Sequence, residues 1–274
     1  MNDVIFADLH MHSYYSDGEL SPIEVYEVAL EAGLKAAAIT DHDTVEGLIA
    51  LPQGLLEADL YIPGVEISAF EVNLSCHILG YFHHSRISKL SKILSACLDS
   101  RYERIEEMIG RLQKDGIDVS LRELLEDRAP SKLLGRPHLA ELMIKKGIVK
   151  NKQEAFDEYL SNDSPYYVPY KRMLPKQAID IIHSVDGIAF LAHPAKDNID
   201  NKIKYLVDTG LDGIEIWHYS HTPAHEEYYL SQARKHNLLV SGGSDFHGYG
   251  KINIVGMKGV SEENYWKIID RIRT

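Results

Sequence analysis

The chain has little of several features that would place it in common protein classes. Only two of its 274 residues are cysteines, so no disulfide framework is implied and a reducing interior is expected. No apolar run reaches the length of a membrane span, and Asp3 stands where a secretory signal would carry positive charge. We therefore expect a cytoplasmic protein without a membrane partner.

Positive charge is also scarce. There are 29 lysines and arginines against 41 aspartates and glutamates, which gives a formal net charge of -12 at pH 7. This balance disfavours a general binder of nucleic-acid backbones and predicts no stable duplex binding, although a local basic pocket is compatible with it. In contrast, 14 histidines are many for this length, and they are the one compositional indication of bound metal.

The first candidate ligands are two histidines separated by one residue. They follow the apolar run Val4–Ala7, which predicts a short buried strand. Because side chains alternate across a strand, His10 and His12 point the same way and both imidazoles can reach one divalent metal. Taken alone, the pair is explained at least as well by solvated or hydrogen-bonded histidines at a strand end. The choice depends on the rest of the chain.

Strand and helix patterns alternate on both sides of a helical, charged middle segment. Ser21 followed by Pro22 predicts a capped helix after the first strand. The length allows one large α/β domain or one domain with an inserted subdomain. We expect residues 1–86 and 175–274 to form an α/β domain with a parallel sheet. Residues 87–174 are expected to form a helical insertion that caps its active-site end.

Polar side chains that can bind metal or substrate end six of the predicted strands. They are His10 and His12, His42, Glu66, His193, Glu215 and His218, and Asp245 and His247. His77 instead opens its predicted strand and is an exception. Enzymes with β/α barrels assemble their sites from the carboxyl ends of strands. We therefore favour one shared site over scattered, locally bonded side chains.

The chain resembles the PHP (polymerase and histidinol phosphatase) family of metal-dependent phosphoesterases in six motifs. They are D-L-H-M-H-S…S-D-G, I-T-D-H-D, P-G-V-E-I-S, C-H-I-L-G-Y, A-H-P and G-S-D-F-H. The insertion carries G-R-P-H and Y-V-P, and with them the chain looks most like the nucleoside 3′,5′-bisphosphate phosphatases and RNase AM-like 5′-to-3′ exoribonucleases. The resemblance implies a distorted (β/α)7 barrel with a trinuclear metal site.

The same resemblance implies three divalent ions, Mn, Fe or Zn, and their ligands. The first ion would take His10, His12, Glu66 and Asp245, the second Glu66, His77 and His193, and the third Asp17, His42 and His247. Glu66 would be shared by two ions, so we expect it to matter most in catalysis. Some family members have a histidine near position 17, and the carboxylate of Asp17 leaves the identity of the metal open.

Five further residues are candidates for contacts with substrate. Arg136 can clamp a phosphate with two parallel donors, and a surface arginine at a helix start is the alternative. His138 can add a donor or merely begin that helix, and Lys171 can steer an anion or be solvated. His218 and His221 follow a strand, and we expect His221 to contact phosphate or to protonate the leaving oxygen.

The expected function is hydrolysis of a phosphomonoester of a small nucleotide, such as a 3′,5′-bisphosphonucleoside or an AMP-like compound. We expect that the same site can trim short RNA from its 5′ end. Histidinol phosphatase is the alternative among phosphoesterases, and the long insertion argues against it. A non-catalytic metal-binding module and a metal-dependent amidohydrolase are the alternatives of other classes. The full set of nine ligand positions argues against the module, and the lack of an evident metal-bridging lysine argues against the amidohydrolase.

Overall fold

A computed structural model describes residues 4–56, 61–128, 134–169 and 173–272. Contacts within the chain divide it into two compact units, residues 1–94 with 172–274 and residues 95–171. The insertion expected at residues 87–174 overlaps the second unit, and its position over the active-site end stays a prediction. No helix in the described ranges is long and apolar enough to cross a bilayer.

Seven strands lie in the described part of the first unit. They are β1 (Ala7–Met11), β2 (Ala36–Ile39), β3 (Gly64–Glu71), β4 (Leu74–Tyr81), β5 (Ile188–Leu191), β6 (Gly213–His218) and β7 (Leu239–Gly243). β1 and β2 form a parallel pair, and β3 to β7 form a five-stranded sheet in chain order. β4 runs antiparallel to both β3 and β5, whereas β5, β6 and β7 are parallel. The expected parallel pairing therefore holds for β1 with β2 and for β5 to β7, but it is wrong for β4.

Twelve α-helices accompany these strands in the described residues. They are α1 (Pro22–Glu31), α2 (Glu46–Ile49), α3 (Gln53–Leu56), α4 (Ile87–Lys114), α5 (Leu121–Arg128), α6 (Arg136–Lys145), α7 (Lys152–Ala155), α8 (Pro175–Ser184), α9 (Pro194–Asp197), α10 (Ile203–Asp208), α11 (Pro223–His236) and α12 (Glu262–Ile272). Short 3-10 segments lie at His84–Arg86 and Asp200–Lys202, and a π-helical turn covers Phe156–Leu160.

The start of α1 follows its local sequence signal. The Ser21 side chain accepts the backbone N–H of Glu24, and the Glu24 carboxylate accepts the backbone N–H of Ser21 at 2.7 Å. This capping box satisfies donors that the first helical turn leaves unpaired. The predicted cap of α1 is therefore confirmed.

Alternation along the strands supplies two apolar clusters in the first unit. In β5, Ala189 and Leu191 join one cluster, while Phe190 joins the other together with Tyr265 and Ile268 of α12. Successive strand side chains point to opposite faces, so one short strand contributes to both clusters. The second unit has its own apolar core, which includes Ile105, Met108 and Leu139.

Candidate metal centre

The side chains predicted as ligands lie at one end of the strands of the first unit. His10 belongs to β1, and His12 follows directly after this strand rather than after Ala7, as the sequence had suggested. His42 lies beyond β2 and forms an isolated bridge with Glu66 of β3. After β7, the backbone N–H of Asp245 donates to the carbonyl of His10 at 2.8 Å. These backbone contacts bring separate ligand motifs to one place.

His77 joins the same group because its strand is reversed. β4 begins at Leu74 and not at His77, so the predicted start of this strand is wrong. Since β4 is antiparallel to its neighbours, its first half lies beside the carboxyl end of β5, where the N–H of Ala192 donates to the His77 carbonyl. The exception in the sequence pattern is thus explained by strand direction.

The carboxylate of Glu66 is the centre of the arrangement. It is fully buried, and imidazole nitrogens of five histidines lie within 3.4 Å of its two oxygens. Oε2 is approached by His10 at 3.0 Å, His12 at 3.1 Å and His42 at 3.4 Å. Oε1 lies 2.9 Å from both His77 and His193.

Two other carboxylates extend the group. Asp245 Oδ1 lies 3.2 Å from Nε2 of His12 and 3.5 Å from Nε2 of His10. Asp17 Oδ1 lies 3.3 Å from Nε2 of His247, and Asp17 Oδ2 lies 3.8 Å from Nε2 of His42. Every side chain in the predicted ligand set therefore has another member of that set nearby.

The donor atoms form groups that partly match the predicted division among three ions. One group is identical to the first set, namely His10, His12, Glu66 and Asp245, with donor atoms within 4.8 Å of one another. A second group contains the third set and adds His12. The second set is divided, since His77 groups with His42 and Glu66 and also with His193 and Asp197.

These residues fit divalent cations. Both ring nitrogens of His12 and Nδ1 of His42 are buried, and although carboxylate oxygens lie near them, none of the three makes a hydrogen bond of acceptable geometry among the described residues. Buried polar atoms are normally satisfied, and mixed imidazole and carboxylate donors suit Zn, Mn and Fe. The unsatisfied nitrogens and the donor set both indicate cation binding.

The electrostatics of the cluster point the same way. Burial lowers the pKa of His12, but Asp245 and Glu66 outweigh it and raise this pKa to about 10. Burial likewise lowers the pKa of His193, and Asp197 and Glu66 raise it to about 9. Burial raises the pKa of Glu215, while His10 and His218 lower it to about 2. The cluster therefore favours positive charge at His12 and His193, which protons or metal ions can supply, whereas burial lowers the pKa of His42 to about 4.

Two carboxylates outside the predicted ligand set orient its histidines. Glu215 Oε1 lies 2.9 Å from Nδ1 of His10, and its Oε2 accepts the backbone N–H of His193 at 2.7 Å. Asp197 Oδ2 lies 3.2 Å from Nδ1 of His193. Carboxylates in this position fix the tautomer of a ligating imidazole and raise its basicity. Glu215 is one of the polar strand ends predicted from the sequence, whereas Asp197 was not predicted, although its i,i+4 spacing from His193 could have indicated it.

Asp41 holds the backbone beside three predicted ligands. Its Oδ1 accepts the N–H of Ser13 at 2.7 Å and the hydroxyl of Ser16 at 2.8 Å, and its Oδ2 accepts the Ser13 hydroxyl at 2.6 Å. The same turn requires Gly18, because a Cβ there would lie 2.4 Å from the carbonyl oxygen of His12. One buried carboxylate therefore positions the segments that carry His12, Asp17 and His42.

Two of the predicted substrate residues belong to this unit. His218 Nε2 lies 3.3 Å from Asp245 Oδ2, and its Nδ1 accepts the N–H of Ser220 at 3.2 Å. His221 Nδ1 lies 2.7 Å from the carbonyl oxygen of Ile216, so this nitrogen carries the proton. Burial lowers the pKa of His221 to about 4. Its buried Nε2 is therefore an acceptor at neutral pH.

The other predicted substrate residues belong to the second unit or fall outside the described residues. Arg136 begins α6, donates to the Leu160 carbonyl at 2.6 Å and to Asn162 Oδ1 at 2.9 Å, and lies 5.2 Å from the ring centroid of Tyr167. His138 lies in the first turn of α6. Lys171 lies outside the described residues. These contacts give Arg136 a structural role within its own unit.

Comparison with known proteins identifies relatives along most of the chain. The family model for the PHP domain matches residues 8–162. The 5′-3′ exoribonuclease Rnm of Escherichia coli is 31% identical over 90% of this chain and 86% of its own length. The 3′,5′-nucleoside bisphosphate phosphatase of Chromobacterium violaceum is 29% identical over 89% and 88%. The phosphoribosyl 1,2-cyclic phosphate 1,2-diphosphodiesterase of Eggerthella lenta is 29% identical over 93% and 99%.

A solved structure shares the fold. A protein from Bifidobacterium adolescentis, assigned as a metal-dependent phosphoesterase, superposes with a TM-score of 0.77. It is 30% identical, and the match covers 97% of this chain and 96% of that one. The α/β fold is therefore that of these phosphoesterases.

Proposed function

We propose that this chain, which belongs to the PHP family of metal-dependent phosphoesterases, hydrolyses a phosphomonoester of a small nucleotide. The observation that carries the proposal is the convergence of five imidazoles on the buried Glu66 carboxylate, with Asp17 and Asp245 beside them. So many buried titratable groups are costly to a fold, and they are retained where they bind cations or react.

Three ions, Mn, Fe or Zn, would be held by the three ligand sets that the resemblance implies. Divalent ions bound there would supply Lewis-acid stabilisation of charge on the phosphate oxygens and a water of lowered pKa. The chain itself fixes the imidazoles. With metal bound, Glu215 would hold the Nδ1 proton of His10, and Asp197, 3.2 Å from Nδ1 of His193, would favour the proton on that nitrogen, so that each Nε2 lone pair could bind a cation.

His218 and His221 are proposed to contact the substrate in different ways. The N–H of Ser220 donates to Nδ1 of His218, so its Nε2 carries the proton and can donate to Asp245 or to a phosphate oxygen. Nε2 of His221 accepts, because Nδ1 is committed to the Ile216 carbonyl. With this tautomer, His221 is expected to accept a hydrogen bond at Nε2 from the substrate rather than to donate a proton to the leaving oxygen.

The nucleotide substrate is supported by the relatives. Two of them are described as an exoribonuclease and a nucleoside bisphosphate phosphatase, and we propose a 3′,5′-bisphosphonucleoside or the 5′ end of short RNA as substrate here. Arg136, His138 and Lys171 are proposed to contact its second phosphate. Duplex nucleic acid is not an expected partner, since the net charge is -12 at pH 7.

The finer architecture is part of the proposal. We propose a distorted (β/α)7 barrel, and two isolated bridges support it: Met11 of β1 with Phe246, which follows β7, and Ala37 of β2 with Tyr61, which precedes β3. Residues 87–174 are proposed as the insertion that caps the active-site end, and the cytoplasm as the location.

The experiment that tests the function measures phosphate release by the Mn-loaded protein together with chromatography of the products, because opening a cyclic phosphate or trimming RNA to mononucleotides releases no inorganic phosphate. The panel contains adenosine 3′,5′-bisphosphate, 3′-AMP, 5′-AMP, histidinol phosphate, a ribose 1,2-cyclic phosphate and a short 5′-phosphorylated RNA, with metal-free protein as the control. The expected result is the highest kcat/KM for the bisphosphate. Preference for histidinol phosphate or for the cyclic phosphate would overturn the nucleotide assignment. Silence across the panel with metal bound would favour a non-catalytic module.

A further inference from the structure

A lysine that the ligand sets do not include lies against the cluster. Lys196 is in α9, the single helical turn that follows His193, and its Nζ donates to Oδ2 of Asp245 at 2.9 Å. The Lys196 side chain is 40% exposed, whereas that of Asp245 is 3% exposed. The ammonium group therefore lies where the buried cluster meets solvent.

The two oxygens of the Asp245 carboxylate have different neighbours. Oδ1 of Asp245 faces His10 and His12, while Oδ2 faces Lys196 and His218. An ion held through Oδ1 and an ammonium group on Oδ2 would be neighbours on opposite oxygens of one carboxylate. A phosphate with one oxygen on such an ion would have further oxygens that the lysine could bind.

The ammonium group also keeps donors for a ligand. A lysine has three N–H donors, and Nζ of Lys196 makes one hydrogen bond to the described residues. The same nitrogen lies 5.9 Å from the ring centroid of Tyr219, which limits the directions that the side chain can take. Among ion pairs between described residues, no other lysine or arginine pairs with a carboxylate of the cluster, which is formed by Asp17, Glu66, Glu215 and Asp245.

We propose that Lys196 binds a non-bridging oxygen of the phosphate that is hydrolysed. The inference rests on the proposed function for the identity of the reaction, but phosphate binding itself does not require turnover. A phosphomonoester carries up to two negative charges, and a fixed ammonium group at the open edge neutralises charge that the cations leave. Lys196 is thereby a substrate-binding residue supplied by the same turn that supplies His193 and Asp197.

The test measures binding of inorganic phosphate to the Mn-loaded protein by calorimetry, together with metal content and steady-state kinetics. Lys196→Met keeps the length of the side chain and removes its charge, and Lys196→Arg keeps the charge. Lys204→Met is the matched control, because this lysine is 72% exposed and pairs with Asp208. A charge-assisted hydrogen bond corresponds to roughly a 10- to 100-fold change in affinity.

The expected result is weaker phosphate binding by about tenfold or more in Lys196→Met, with a parallel rise in KM and an unchanged metal content. Lys196→Arg should recover part of the loss, and Lys204→Met should match the wild type. Unchanged phosphate affinity in metal-loaded Lys196→Met would overturn the proposal. A loss that disappears when metal is saturated would also overturn it, since the lysine would then only hold Asp245. If the wild type binds phosphate through Lys196 but hydrolyses no phosphoester, the proposed function fails, and Lys196 remains a phosphate-binding residue without a role in hydrolysis.

Discussion

The two units of the chain differ in the charge that they bury: the first buries a cluster of carboxylates, whereas Arg104 is the one buried charged side chain in the described part of the second. In the first unit, charged side chains are buried together, as with Glu66, Glu215 and Asp245. In the second unit, pairs such as Glu107 with Arg111 stay at the surface, with side chains 56% and 37% exposed. Burying charge is costly unless it is paired, whereas exposed pairs contribute little. The second unit is explained by its apolar core, but the first requires the chemistry of its site.

This comparison predicts that the same kind of substitution has very different consequences in the two units. Glu66→Ala should lower kcat by about 10³-fold or more and reduce bound metal, because charge stabilisation by the cations is worth several kcal/mol. The measurement is phosphate release with metal analysis of the purified variant. The matched control is Glu107→Ala, whose activity should equal that of the wild type. Full activity of Glu66→Ala would contradict both the difference between the two units and the assignment of Glu66 as a ligand.

Substitution of a buried carboxylate outside the three proposed ligand sets should have an effect of intermediate size on metal binding. Glu215→Gln keeps the size of the side chain but weakens its hold on His10, so metal affinity should fall by about 10- to 100-fold. Metal titration of the chelator-treated protein measures this change. Glu226→Gln, at a partly exposed pair with Lys258, is the control in the same unit. Metal affinity equal to that of the wild type would show that Glu215 is dispensable for orienting His10.

Arg136 tests whether the second unit also acts in catalysis. If it clamps the second phosphate, Arg136→Ala should raise KM for a bisphosphate by about tenfold with little change in kcat. The hydrogen bonds to Leu160 and Asn162 suggest a competing result, namely a lower unfolding midpoint with unchanged KM. Kinetics and thermal unfolding of the same preparation separate the two roles.

The smallest expected effect is a pH dependence confined to the first unit. The pKa values of His12 and His193 are raised to about 10 and about 9 from 6.5, by carboxylates that outweigh burial. A raised pKa in the folded state stabilises the fold below the unfolded pKa, and this contribution is lost as pH rises through the folded pKa. The unfolding midpoint of metal-free protein should therefore fall between pH 6.5 and about 10. Metal-loaded protein should lack this fall, because the ions have replaced the protons; an equal fall in both forms would contradict the explanation.

Local signals in the sequence predicted the elements better than their pairing. The cap at Ser21 and the polar strand ends are short-range patterns. The strand ends marked His10, His12, Glu66 and Asp245 as candidate ligands, and the structure brings these four side chains together. His77 did not fit, because the direction of β4 depends on its pairing with β3 and β5 rather than on its own residues. Strand direction is a property of the tertiary structure, so only the structure shows why His77 lies in the site.

The supporting residues of the site were harder to find for a related reason. Lys196 and Asp197 lie in a helix of four residues, too short for a periodic pattern, and His193 before it has a positive φ of 26°. Such a backbone is uncommon outside glycine and clusters at functional sites. Glu215 was recognised as a polar strand end, but its contact with His10 joins residues 205 positions apart. The sequence thus indicated which side chains can bind metal or substrate, and the structure showed which carboxylates contact and orient the histidines.

The position of Glu66 also has an evolutionary consequence. Five imidazoles lie within 3.4 Å of this one carboxylate, whereas the helix caps and the apolar clusters of the fold are built from other side chains. A lineage that exchanged this residue would lose the proposed reaction, and five buried imidazoles would lose the carboxylate that they share. Selection for the reaction and selection for a stable fold would therefore act together on this one position.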